Sequence, residues 1–121
     1  KRARIPPDQR VEQGELGRPA EATASFEATL RFQPDHVEAH NALGTELSLL
    51  GRLDEAAGHY RRALEIDSGL AHVHNNLALV LVHQGKIEEA ISHYREALRI
   101  EPTNVKAQRN LARLLAGPEG N

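Results

Sequence analysis

Seven histidines are the residues of this chain best suited to chemistry, since imidazole titrates near neutrality and is a common metal ligand. His72 and His74 stand two apart, but residues at that spacing on a helix point in different directions. His36 and His40, four apart, meet only if His36 is already helical. Neither set has a carboxylate at metal-ligand spacing, and with no cysteine there is no thiolate ligand, thiol nucleophile or disulfide. No metal and no cofactor is therefore expected. No Gly-x-Ser-x-Gly, phosphate loop or isolated carboxylate dyad occurs either, so the segment reads as non-catalytic. The acids Asp54/Glu55 and Glu88/Glu89 recur at a fixed interval, which marks them as partners of helix dipoles. His40 and His74 recur in the same way and are expected to pack between adjacent units, with His59 and His93 half exposed beside Tyr60 and Tyr94.

That interval organises the whole chain. Residues 37–70 and 71–104 share thirteen of 34 positions, among them His40/His74, Leu43/Leu77, Gly51/Gly85, Ala56/Ala90, Tyr60/Tyr94 and Ala63/Ala97. A period of this size signals a stacked repeat array. Within one copy Ala39, Leu43, Leu47 and Leu50 recur at three- and four-residue steps, which predicts a first helix ending at Gly51. Glycine enters the left-handed region without a Cβ penalty, so the chain turns back at once. Asp54 and Glu55 open a second helix whose stripe is Leu53, Ala56, Ala57, Tyr60, Ala63 and Leu64. Small alanines beside a large tyrosine allow close helix approach. One pair cannot bury both of its faces, so each copy must stack on the next.

The spacing Leu43-Gly44-x-x-Leu47 with Ala56-x-x-x-Tyr60-x-x-Ala63, repeated as Leu77-Ala78-x-x-Leu81 with Ala90-x-x-x-Tyr94-x-x-Ala97 and Pro102, resembles the tetratricopeptide repeat. His40 and His74 stand where that family often has an aromatic residue early in the first helix. The resemblance implies an all-α, right-handed superhelical solenoid of antiparallel helix pairs, about three repeats plus a C-terminal capping helix. The order reads as a basic, proline-containing tail (1–7), a degenerate first repeat (8–36), full repeats (37–70 and 71–104), a capping helix (105–116) and a tail (117–121). In the degenerate repeat Gln9, Arg10 and Gln13 occupy slots that are apolar or small in later copies, whereas Gly17, Ala22, Phe26 and Leu30 keep the second-helix pattern and Pro19 sits in a tolerated first turn. Arg109, Asn110 and Arg113 give the last helix a polar outer face.

The resemblance also implies that first helices line a concave groove. Carried onto this chain, the peptide-binding residues are Asn41 and Thr45, then His72, Asn75, Asn76, Leu79 and His83, then Lys106, Arg109, Asn110 and Arg113, with Glu38 and Ser48 also facing the groove. One end is amide-rich and the other basic, which suits an extended peptide with an acidic segment. Two family subtypes differ in these positions. The clamp for chaperone C-terminal carboxylates is matched only by Asn76 and Lys106. The asparagine ladder of O-linked N-acetylglucosamine transferases and similar bacterial proteins is matched by Asn76-Leu77-Ala78 and Asn110-Leu111-Ala112 and interrupted at Ala42, and this broader mode is preferred. The expected function is a protein-protein interaction scaffold. The alternatives are a self-assembly module, or a regulatory region of a larger enzyme such as a glycosyltransferase.

Composition bounds the partners. A net charge of -2 over 121 residues gives no global pull toward nucleic acid or an anionic membrane. Lys1, Arg2 and Arg4 lack interleaved aromatics and read as a solvated terminus. No apolar run is long enough to span a bilayer and no signal-peptide pattern opens the chain, which leaves the compartment open with the cytoplasm favoured. The chain starts at Lys1 and contains no methionine, pointing to a segment of a longer protein or a processed product.

Overall fold

The computed structural model describes residues 18–117; the basic tail, the start of the degenerate first repeat with Gln9, Arg10 and Gln13, and residues 118–121 lie outside them. Among the described residues six helices follow one another: α1 (Arg18–Phe32), α2 (Val37–Leu49), α3 (Leu53–Ile66), α4 (Ala71–His83), α5 (Ile87–Ile100) and α6 (Val105–Ala116). No strand occurs among the described residues. The pairs α2/α3 and α4/α5 make the most extensive contacts, and each helix also packs on the next in sequence. The architecture is an all-α solenoid of helix pairs. No helix of the described residues is long and apolar enough to cross a membrane.

Each pair is closed by the same turn. The Gly51 N–H donates to the Ser48 carbonyl at 3.0 Å and the Arg52 N–H to Leu47 at 2.9 Å; Gly85 and Lys86 repeat this onto Val82 and Leu81 at 2.9 and 2.8 Å. This is the Schellman arrangement, and it needs a left-handed residue, supplied by Gly51 and Gly85 at φ 80°. A Cβ at Gly85 would meet nothing within 4 Å, so Gly85→Ala isolates the backbone cost. It is expected to lower stability by about 1–2 kcal/mol, read in a thermal or urea melt.

The core follows the periodicity except at Leu50, which caps α2 at its C-terminal end and is 50% exposed. Leu43, Tyr60 and Tyr94 are 1–2% exposed, and Ala56, Leu77, Ala90 and Ala97 fully buried. Gly44 serves packing rather than a turn: a Cβ there would lie 2.6 Å from the Tyr60 ring, so the missing methyl is the space that ring occupies. Capping differs between helices. His36, in extended geometry before α2, caps it by accepting the Ala39 N–H on Nδ1 at 3.0 Å, and Asn104 does the same for α6 through Ala107 at 3.0 Å. His36 therefore does not pair with His40.

Acids at the second-helix starts do more than face a dipole. Glu55 is paired with Arg52, Glu89 bridges to Arg61 of the preceding second helix at 2.8 Å, and Asp54 accepts from Gln84 at 2.6 Å. Arg62 joins Asp35 before α2 at 2.7 Å. These pairs are at least partly exposed and contribute little each.

Candidate functional site

The first helices α2, α4 and α6 carry every residue nominated for binding. Their side-by-side order is marked by the Asn76 amide of α4, which donates to Asn41 Oδ1 of α2 at 3.2 Å. Both side chains are half-buried. Thr45, one turn along α2, is also half-buried; it hydrogen-bonds Tyr60 Oη at 2.9 Å and donates to the Asn41 carbonyl at 3.1 Å. Burial raises the Tyr60 phenol above its ordinary value, partly opposed by that Thr45 bond. Tyr94 is raised by burial too, against Asn110, which stands next to its hydroxyl from α6. Tyr60 thus holds Thr45 in place from below.

The remaining nominated residues divide. His72, Leu79, His83, Lys106, Arg109 and Arg113 are exposed, with Leu79 45% accessible, and His83 Nδ1 donates to the Leu79 carbonyl at 2.9 Å. Asn75 is a correction. It was expected on the open face, but it is 8% exposed and its Oδ1 has no partner among the described residues. Position on a helical wheel assigns Asn41, Asn75 and Arg109 one direction, whereas α4 is packed by α2, α3 and α5 together, so its flank is covered where α6 leaves Arg109 open. α6 brings three cations and no acid to its end of the face. A shallow cleft of about 370 Å³ at the α2–α3 turn is lined by Gly51, Arg52, Leu53, Asp54 and Glu55, none of them nominated.

The structure also joins histidines that the sequence reading kept apart. His40 Nδ1 lies 3.1 Å from His59 Nδ1 and His74 Nδ1 lies 3.0 Å from His93 Nδ1, so each pair ties a first helix to its own second helix. The other ring nitrogen of His40 faces the Pro34 carbonyl at 2.8 Å, and that of His74 the Ser68 carbonyl at 3.0 Å. A carbonyl only accepts, so Nε2 of His40 and His74 carries the proton, their Nδ1 accepts, and Nδ1–H of His59 and His93 donates. Ring centroids 5.4 and 5.2 Å apart exceed the nitrogen separations by about two ring radii, so the rings meet edge to edge. In each pair the Nδ1–H of one ring therefore meets the Nδ1 lone pair of the other, a hydrogen bond that occupies both Nδ1 atoms. Among the described residues no group of three or more His, Asp or Glu is arranged to hold a metal ion. The signal available in the sequence was the identical 19-residue separation in both copies.

Comparison with known proteins agrees with the fold. Tetratricopeptide-repeat family models match residues 12–71 and 71–104. No curated protein matches the chain in sequence. Among solved structures, MamA superposes with a TM-score of 0.80 at 22% identity, covering 87% of this chain and 61% of MamA. The first repeat domain of Spaghetti (RPAP3), bound to the HSP90 peptide SRMEEVD, gives 0.80 at 17% identity over 89% of this chain and 86% of that one. An O-GlcNAc transferase mutant from Thermobaculum terrenum gives 0.74 at 29% identity, covering 93% of this chain and 23% of the enzyme. The chain thus spans about three fifths of MamA and under a quarter of the transferase.

Proposed function

Because the chain belongs to the tetratricopeptide-repeat family, we propose that it is a non-catalytic scaffold holding an extended peptide, acidic at one end, along the first-helix face. The observation that carries this reading is the order of groups on that face: an Asn41–Asn76 amide pair and the Thr45 hydroxyl on α2 and α4, the exposed Leu79, then Lys106, Arg109 and Arg113 on α6. Amides bond to peptide backbone without regard to sequence, an exposed leucine takes an apolar side chain, and cations take carboxylates. The fold neighbour from Spaghetti is bound to a peptide with two glutamates and an aspartate near its end, which supports the acidic polarity.

A titration calorimetry series tests it, with an acidic-ended peptide and its amide-substituted counterpart as probes. Lys106→Ala with Arg109→Ala is expected to weaken the acidic peptide about tenfold, on the order of 1.4 kcal/mol, and to flatten its salt dependence. Asn76→Ala is expected to weaken both peptides alike. Unchanged affinity in the double variant would remove the acidic-end reading, and unchanged affinity in all variants the face itself.

The second reading, a regulatory region within a larger enzyme such as a glycosyltransferase, draws on the transferase neighbour, which shares 29% identity over 93% of this chain.

A further inference from the structure

Among the described residues two helices lack the partner helix that the complete repeats have, and they are the two halves of one repeat. In residues 37–70 and 71–104 the inner stripe of the first helix is covered by the second helix: Leu43 and Leu47 are 1% and 4% exposed, Leu77 and Leu81 fully buried. One period further on, α6 carries Leu111 and Leu115 in the same register, and there Leu115 is 56% exposed and Leu111 only partly buried. Ala112, in register with buried Gly44 and Ala78, is exposed as well. At the opposite end α1 has the register of a second helix. Its Ala22, Phe26 and Thr29 align with Ala56, Tyr60 and Ala63, which are at most 2% exposed, yet all three are only partly buried.

We propose that α1 of a second copy docks on the Leu111/Ala112/Leu115 stripe of α6, completing a composite helix pair of the α2/α3 kind, so that copies associate head to tail. The interface continues one the chain already builds twice. Ala112 against Phe26 repeats the register of Gly44 against Tyr60, a small residue under an aromatic ring. Gln108 occupies the register of His40 and His74 and makes the same anchoring bond, Nε2 donating to the Pro102 carbonyl at 2.8 Å. Its amide oxygen is left to accept, and the residue of α1 in register with His59 and His93 is Ser25, a hydroxyl donor. An amide–hydroxyl pair thus replaces the imidazole pair. Within α1's own chain the residues in register with Leu43, Gly44 and Leu47 are Gln9, Arg10 and Gln13, polar types that a phenylalanine and alanine stripe does not favour, whereas α6 supplies Leu111, Ala112 and Leu115. The two surfaces differ, so the contact is heterologous, and each added copy presents a fresh α6 face unless a ring closes.

Sedimentation of the 121-residue chain from the micromolar to the millimolar range tests this. The weight-average mass is expected to climb past twice the 13.3 kDa of one chain. Leu115→Glu lies at an exposed position and leaves the monomer folded by circular dichroism; it is expected to stop growth. Phe26→Glu is expected to do the same from the other side. An equimolar mixture of the two variants retains one intact α6 face and one intact α1 face, and is expected to give a dimer and nothing larger. A wild type that stays monomeric throughout, or a Leu115→Glu chain that associates as the wild type does, overturns the proposal. Should Phe26→Glu lose its helical signal, Ser25→Glu, at an exposed position, takes its place in the mixture, and a mixture that remains monomeric while the wild type associates also overturns it.

Discussion

Replacing Leu77 by alanine is expected to lower stability by about 2–5 kcal/mol, the range for removing a buried leucine whose surroundings relax only partly. Leu77 is fully buried in α4, and α4 packs against α2, α3 and α5, so the cavity opens between two repeats rather than at an edge. In a solenoid each unit is held by its neighbours, and loosening the central one weakens both interfaces. For a domain of this size the melting midpoint is expected to fall on the order of 10–30 °C, measured by circular dichroism. Leu79, two residues along the same helix, is the internal comparison. It is 45% exposed, and Leu79→Ala is expected to stay within about 0.5 kcal/mol of the parent. Equal losses at the two positions would mean that α4 is rotated about its axis, with Leu77 no longer facing the core.

That contrast between Leu77 and Leu79 was legible in the sequence, because a 3.6-residue period combined with a 34-residue repeat fixes which way each side chain turns. The same reasoning located Gly51 and Gly85, where only a left-handed residue lets the second helix fold back. It failed where two helices must be placed against each other. His40 and His59 are 19 residues apart, and nothing in the periodicity of either helix says that their nitrogens come within 3.1 Å. Asn75 failed for a related reason: periodicity gives the direction of a side chain, and burial depends on how many neighbours cover that direction. His36 was weighed as a ligand and is a helix cap, a role that needs extended backbone before the helix rather than a position on it. The order of amides and cations along α2, α4 and α6 came from the resemblance and from residue type together. Which of those side chains are tied down, Thr45 to Tyr60 and Asn76 to Asn41, required coordinates.

The histidine pairs carry the second large effect. The Pro34 and Ser68 carbonyls hold the proton of His40 and His74 on Nε2, so their Nδ1 has to accept and His59 and His93 have to donate. A proton added to the pair has one place to go without setting N–H against N–H: the remaining nitrogen of His59 or His93. Those rings resist it. Burial lowers the pKa of His59 below the ordinary 6.5, His40 lowers it further, and Glu27 and Glu55 only partly restore it. His93 is lowered by burial and by His74, with Arg61 adding to the effect and Glu89 and Glu96 opposing it. The unfolded chain therefore takes up protons at a higher pH than the folded one, and acid favours unfolding. Stability is expected to be complete above about pH 6.5, to decline as pH falls through 6.5, and to level off once pH drops below the folded values of His59 and His93. Melting midpoints taken between about pH 7.5 and 5.5 read this directly, in a window above the ordinary carboxylate range. His59→Gln with His93→Gln keeps an amide donor toward each partner and removes both titrations, so its midpoint is expected to change far less across the same window. Midpoints that hold steady or rise on acidification in the unaltered chain would show that the paired rings accept their second proton as readily folded as unfolded.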